Sequence, residues 1–130
     1  MKKLLLVDDQ PHIIRLLRLS LSRNGYETDI AFNGEEALAK LKKVCYDVLI
    51  TDIEMPHMNG RQLCDALRRD LPDCRPYIFI ITARTERDLR EWALALGNAC
   101  FLEKPVSLKE LVAKLAAHFE GVEQNEQAPT

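Results

Sequence analysis

The stretch Lys3-Leu4-Leu5-Leu6-Val7-Asp8-Asp9 runs through a short apolar segment and stops on two adjacent carboxylates. So brief and continuous a run reads as a strand buried on both faces, since neither face shows a polar alternation. The pattern returns at Val48–Thr51, where Asp52 follows, and at Tyr77–Thr82, which ends on a hydroxyl. Two weaker runs complete the set: Glu27–Ala31, which alternates only roughly, and Cys100–Glu103, which Lys104-Pro105 follows.

Between the runs the period changes to that of a helix. Ala37, Leu38, Leu41 and Val44 make one stripe, Leu63, Ala66 and Leu67 a second, and Leu89, Trp92, Ala93 and Leu96 a third. Leu108, Leu111, Val112, Leu115 and Phe119 make the clearest, at helical spacing throughout. The first helix, from Pro11 to about Arg23, is apolar over a wide arc, which predicts that it is the best covered. Asn33-Gly34-Glu35-Glu36, Thr85-Glu86-Arg87-Asp88 and Ser107-Leu108-Lys109-Glu110 read as N-caps with an acidic residue three positions on. Pro11 suits a first helical position and Asn24-Gly25 a stop.

Strict alternation of five strands and five helices implies an α/β, doubly wound (βα)₅ fold with right-handed crossovers and helices on both faces of a parallel sheet. In the flavodoxin-like strand order 2-1-3-4-5, the topological switch point lies between strands 1 and 3. Residues 1–120 are expected to form one domain, and 121–130, polar and aperiodic, a flexible C-terminal tail.

Composition agrees. With 130 residues, 47% apolar and 29% charged, the chain is long enough for one core. A formal net charge of −2 argues against direct nucleic-acid binding. Asp8-Asp9 breaks the N-terminal apolar run too early for a signal peptide, and no stretch is long enough to span a bilayer, so a soluble cytoplasmic protein is expected. Cys45, Cys64, Cys74 and Cys100 form no C-x-x-C pair, and no histidine sits at zinc spacing, so they are expected to be unpaired small apolar residues. His12, His57 and His118 are scattered and expected at the surface, and Trp92 in the core.

The polar residues then fall into place. Asp8 and Asp9 follow strand 1, Asp52 follows strand 3, Thr82 ends strand 4 and Lys104 follows strand 5. All lie at one edge of the sheet, with the three carboxylates flanking the switch point. Neighbouring carboxylates repel unless a cation or a proton joins them, and oxygen-only ligands select a hard cation such as Mg²⁺. Phosphoryl transfer needs in-line positioning and charge neutralisation, and a carboxylate can act as the nucleophile.

Asp8-Asp9, Asp52-Ile53-Glu54-Met55-Pro56-His57-Met58-Asn59-Gly60, Thr82-Ala83 and Lys104-Pro105 together resemble the receiver domain of two-component response regulators, over about Lys3 to Phe119. The resemblance implies that Asp52 accepts a phosphoryl group from a phosphohistidine on a sensor histidine kinase or histidine phosphotransfer protein. It implies Mg²⁺ held by Asp9 directly, by Asp8 mostly through water, by Asp52 and by the Glu54 carbonyl. Lys104 would pair with the phosphoryl group, Thr82 would move to hydrogen-bond it, and Phe101 would be the aromatic switch that follows Thr82. Lys104-Pro105 would be a cis peptide.

The implied readout is the surface of helix 4, strand 5 and helix 5, offered to an unknown downstream protein or to a second copy in a homodimer. Leu94, off the buried stripe of helix 4, is either part of that surface or a lone exposed leucine. Glu54 and Arg84 would flank the phosphoryl group and tune its lifetime, as an ion pair across the mouth or as two solvated side chains. Phe101 stands where many members carry Tyr, and Asn98-Ala99 replaces an acidic pair common in the family.

Such a protein would be no enzyme beyond its own phosphorylation and autodephosphorylation. Rival readings are a phosphorylation-independent pseudo-receiver, which would typically lack the acceptor or acidic pair, and a haloacid-dehalogenase-like phosphatase, whose acidic pair comes late in the chain. A flavodoxin would need a phosphate-binding loop where Asp8-Asp9 stand.

Overall fold

In the computed structural model, which describes residues 1–83, 87–105 and 107–127 with side chains as far as residue 121, strand and helix alternate along the chain. The elements are β1 (Lys3–Val7), α1 (Pro11–Arg23), β2 (Glu27–Ala31), α2 (Gly34–Leu41), β3 (Val48–Asp52), α3 (Gly60–Asp70), β4 (Tyr77–Thr82), α4 (Arg87–Ala95), β5 (Ala99–Glu103) and α5 (Leu108–Gln127). The strands form one sheet in the order β2-β1-β3-β4-β5, with every pairing parallel. The expected flavodoxin-like order is therefore present.

The continuous runs are strands buried on both faces: β3 is buried at every position and β4 at all but its first. Alternation of side chains across the pleat divides the core in two. Leu5, Val7, Leu49, Ile78 and Ile80 point to the face covered by the stripes of α2, α3 and α4. Leu4, Leu6, Val48, Ile50, Phe79 and Ile81 point to the face covered by α1 and α5, where Ile14, Leu21, Leu111, Leu115 and Phe119 meet them. Because α1 and α3 leave β1 and β3 for opposite faces, a crevice opens between the carboxyl ends of those strands.

Local signals set the boundaries. The Asn33 side chain accepts from the Glu36 N–H at 2.8 Å, and Ser107 Oγ from the Glu110 N–H at 3.0 Å. Gly25, at φ 89°, lies beyond the Asn24 cap of α1. The cap expected at Thr85 lies outside the described residues. Strand β3 includes Asp52, one residue further than expected, and β5 begins at Ala99. Helix α5 continues to Gln127, across the stretch read as a tail. That stretch is rich in Glu and Gln, which carry good helix propensity without any apolar period to announce it.

Three expectations are corrected. Helix α1 is not the best covered: it buries only Ile14 and Leu21, while Leu16 and Leu19 are 54% and 50% exposed. A helix on a sheet needs one apolar stripe, and a wider arc leaves its margins in water. Cys45 and Cys74 are not unpaired but joined in a disulfide, while Cys64 and Cys100 are free. Their pairing follows from the adjacency of the α2–β3 and α3–β4 connections, which sequence spacing does not show. His118 is half-buried, its ring stacked on Tyr77 at 4.2 Å, and burial, then the charge of Lys2, lowers its pKa. His12 and His57 are exposed as expected. Trp92 packs against the α2–α3–α4 side of the core, with the Arg61 guanidinium 5.3 Å from its ring centroid.

Candidate functional site

Asp8 and Asp9 follow β1 directly, and Asp52 is the last residue of β3, paired in register with Ile81 of β4. Carboxylate oxygens of Asp8, Asp9 and Asp52 all lie within 4.8 Å of one another. Asp8 and Asp52 are buried, Asp9 exposed. These three residues form an acidic pocket that can hold a metal ion: the donors are all oxygens and one side is open to water, the set a hard divalent cation prefers.

Lys104 completes the cluster. Its Nζ donates to Asp52 Oδ2 at 2.8 Å, and its backbone N–H donates to the Thr82 carbonyl at 2.8 Å. One residue after β5 thus ties together the carboxyl ends of β3 and β4. Burial opposes the ammonium charge, but the hydrogen bond and charge of Asp52, with the fields of Asp8 and Asp9, outweigh it and hold Lys104 above the ordinary lysine range. Burial raises the Asp8 pKa, and the charges of Asp52 and Asp9 add to it, against the Gln10 N–H bond to Asp8 Oδ1 at 2.9 Å and the Lys104 charge. Among the described residues, the carboxylates of Asp8, Asp9 and Asp52 gather beside the Lys104 ammonium.

These groups surround an open cleft of about 620 Å³, which Asp9, Asp52, Glu54, Asn59, Thr82 and Lys104 help to line. Thr82 ends β4 and is 1% exposed. Glu54 is exposed beside Asp52, and its N–H approaches Asp52 Oδ1 at 3.4 Å. The Lys104–Pro105 peptide is cis, as expected. Arg84 lies outside the described residues, and with it the choice between a Glu54–Arg84 ion pair and two solvated side chains. Phe101 lies apart from the cleft, in a groove of about 560 Å³ between α4 and α5, with the Arg90 guanidinium 5.5 Å from its ring centroid. Leu94 lines the same groove and is 76% exposed.

Two positions escaped assignment in the sequence. Asn59 lines the cleft and also caps α3, accepting from the Gln62 N–H at 2.8 Å while Gln62 Oε1 accepts from the Asn59 N–H at 2.9 Å. The signal was there, an Asn with Gln three positions on. Gly60 presses its backbone against the Asp52 peptide: a Cβ here would collide with the Asp52 carbonyl oxygen and lie 3.0 Å from Ile53 Cα. Its N–H donates to the Ile53 carbonyl at 2.9 Å, closing the loop that carries Asp52.

The model of the response regulator receiver domain matches residues 4–116. The transcriptional regulatory protein TrcR of Mycobacterium tuberculosis is 36% identical over 113 residues, 87% of this chain and 43% of TrcR. The transcriptional regulatory protein ResD of Bacillus subtilis is 36% identical over 115 residues, 88% of this chain and 47% of ResD. The chain thus spans about half the length of the curated relatives it matches. Among solved structures, the chemotaxis protein CheY4 of Vibrio cholerae superposes with a TM-score of 0.82 at 33% identity, covering 90% of this chain and 98% of CheY4. The response regulator TrrA of Thermotoga maritima, solved in complex with Mg²⁺ and BeF, gives 0.76 at 36% identity, covering 90% and 98%. The carboxylate cluster, the lysine across it and these matches together make the chain a member of the response regulator receiver domain family.

Proposed function

We propose that Asp52 accepts a phosphoryl group from a phosphohistidine of a sensor histidine kinase or histidine phosphotransfer protein, in a Mg²⁺-dependent reaction. The observation that carries this reading is the buried Asp52 carboxylate, 2.8 Å from Lys104 Nζ and within 4.8 Å of the Asp8 and Asp9 oxygens. Asp8, Asp9, Asp52 and the Glu54 carbonyl are the groups that would hold Mg²⁺, which when bound neutralises their charge and that of the incoming phosphoryl oxygens.

A carboxylate oxygen of Asp52 forms the new bond to phosphorus. The phosphorus–nitrogen bond to the donor imidazole breaks, and its electron pair stays on that nitrogen. Lys104 then exchanges its bond to Asp52 for one to a phosphoryl oxygen, and the Thr82 hydroxyl turns toward another. The open cleft supports an in-line approach, since it gives an incoming imidazole room. A shift of Thr82 alters the environment of β5, two residues of which separate Phe101 from Lys104. The exposed surface of α4, β5 and α5 is the proposed readout, taken by a downstream protein or a second copy. The names of TrcR and ResD support transcription as the output of a longer protein. Among the described residues, no helix is long and apolar enough to cross a membrane. As a catalyst the chain would promote only its own phosphorylation and autodephosphorylation.

The test is labelling of the full chain by a small phosphodonor such as acetyl phosphate, read by intact mass. One phosphoryl group is expected on the parent with Mg²⁺, and none with a chelator or in Asp52→Asn. Labelling of Asp52→Asn equal to the parent would remove Asp52 from the role.

A further inference from the structure

The Cys45–Cys74 pair stands outside everything the acceptor site uses. Cys45 lies in the α2–β3 connection and Cys74 in the α3–β4 connection, their Cα atoms 5.7 Å apart. That separation is well within bridging range. Both connections are at the amino ends of the strands, whereas Asp52 is at a carboxyl end. Six residues of mostly extended chain, about 20 Å, separate Cys45 from Asp52.

We propose that Cys45 and Cys74 are a reversible thiol–disulfide modification site, exchanging with an anionic low-molecular-weight thiol and its disulfide. Three observations carry this. First, the pair is reachable: Cys45 is exposed and Cys74 half-buried. Cys64, by contrast, is fully buried, and burial pushes its thiol up to about 12, so it stays inert.

Second, Cys74 lines a small cleft of about 180 Å³ that Arg68 and Arg75 also line, with no carboxylate among its described lining residues. Two guanidinium groups favour a thiolate and draw an anionic reagent to it. Third, neither connection depends on the bridge for its shape. Val44 N–H bonds the Lys40 carbonyl at 3.0 Å and Cys74 N–H the Leu71 carbonyl at 3.1 Å. Asp47 N–H bonds the Lys3 carbonyl at 2.9 Å, and Tyr77 N–H the Asp47 carbonyl at 3.0 Å. The reduced chain therefore keeps its fold, and the bond can open and close on a folded protein.

Oxidation proceeds in two exchanges. The Cys74 thiolate attacks a sulfur of oxidised glutathione, forming a mixed disulfide and releasing one glutathione. The Cys45 thiolate then attacks the Cys74 sulfur and expels the second. Two electrons pass from the protein sulfurs to the reagent, and the two thiol protons end on two glutathione thiols. Reduced glutathione in excess runs both steps backward.

The experiment exposes the reduced full chain to oxidised glutathione, blocks remaining thiols under denaturing conditions, and maps peptides by mass spectrometry. Expected are a Cys45–Cys74 cross-link, blocked Cys64 and Cys100, and arrest of Cys45→Ser at a single glutathione adduct on Cys74. Arg75→Gln should slow reaction with glutathione several-fold while leaving the rate with uncharged hydroxyethyl disulfide unchanged. Closing this loop should raise the thermal midpoint on the order of 10 °C in the parent and not in Cys45→Ser. Pairing through Cys64 or Cys100, cross-linking between chains, or loss of helical circular dichroism on reduction would each overturn the proposal. None of these readouts uses Asp52, so failure here leaves the phosphoryl-acceptor reading standing, and the reverse.

Discussion

Gly60→Ala tests whether the loop behind Asp52 is as tightly built as its geometry demands. The added methyl would collide with the Asp52 carbonyl oxygen, with Ile53 Cα 3.0 Å and the Asp52 carbonyl carbon 3.1 Å away. All three are backbone atoms of the Asp52–Ile53 peptide, so no side chain can swing aside. Either the first turn of α3 or the end of β3 must move. Overpacking of this kind costs about 1–3 kcal/mol, and sometimes more. For a domain of this size that is a loss of roughly 4–12 °C in melting temperature.

Gly121→Ala is the internal control. Gly121 lies within α5, and a Cβ there would meet nothing within 4 Å, so the same methyl should stabilise by about 0.5–1 kcal/mol. Urea unfolding followed by circular dichroism gives both free energies, with the slopes expected to match the parent. Labelling by acetyl phosphate should fall in Gly60→Ala under conditions where the variant is still folded. The opposite signs are the point. A Gly60→Ala variant as stable and as readily labelled as the parent would show that the Asp52 loop has slack, and the account of a backbone-braced acceptor would fail.

Asp8→Asn should stabilise the chelator-treated protein on the order of 1 kcal/mol: like charges about 5 Å apart repel by about 3 kcal/mol, less the lost attraction of Lys104 and loosened Gln10 bond. Since the folded-state pKa of Asp8 is raised, its contribution is greatest below the ordinary carboxylate value and falls as pH rises through the window up to the raised one. Asp8→Asn should erase that segment of the pH–stability curve, and an unchanged curve refutes the assignment. Lys104→Met breaks the bond to Asp52 and should cost about 1–3 kcal/mol at neutral pH, below the value for a fully buried pair because the Lys104 side chain is 31% exposed. Its folded-state pKa is raised, so the difference between parent and variant should persist through neutral pH and vanish only as pH rises through that raised value, which alkaline urea titrations would show. Asn59→Ala removes the capping box of α3 and should cost about 1 kcal/mol, read as a lower urea midpoint at unchanged slope.

The fold was legible because its signals are local. Continuous apolar runs mark strands buried twice over, and the parity of Leu4-Leu5-Leu6 divides between two cores as a parallel sheet requires. The acidic cluster was legible because residues at the carboxyl ends of parallel strands share one edge, so Asp8, Asp52, Thr82 and Lys104 converge once the strand order is known. What stayed hidden depends on contacts between connections. Nothing near Cys45 or Cys74 in the chain signals that two loops meet, and nothing in the arc of α1 tells a covered leucine from Leu16 or Leu19. Gly60 was visible in a quoted motif, but its function is a close approach to a backbone it does not neighbour in sequence.

The geometry also bounds the proposed switch. Carrying a two-state equilibrium from one extreme to the other takes about 5.5 kcal/mol of differential binding. A single charge-assisted hydrogen bond contributes about 1.5–3 kcal/mol. Lys104 already makes such a bond to Asp52, so moving it to a phosphoryl oxygen supplies only the difference between two similar contacts. Most of the shift must then come from groups whose partners change, and among the described residues Thr82 is placed to do so, at the end of β4 with its carbonyl held by the Lys104 N–H. Thr82→Ala should therefore leave labelling of Asp52 close to that of the parent while uncoupling it from changes on the α4–β5–α5 face. Amide hydrogen exchange at β5, with and without acetyl phosphate, separates the cases: protection changes in Thr82→Ala equal to those of the parent would place the lever on Lys104 instead.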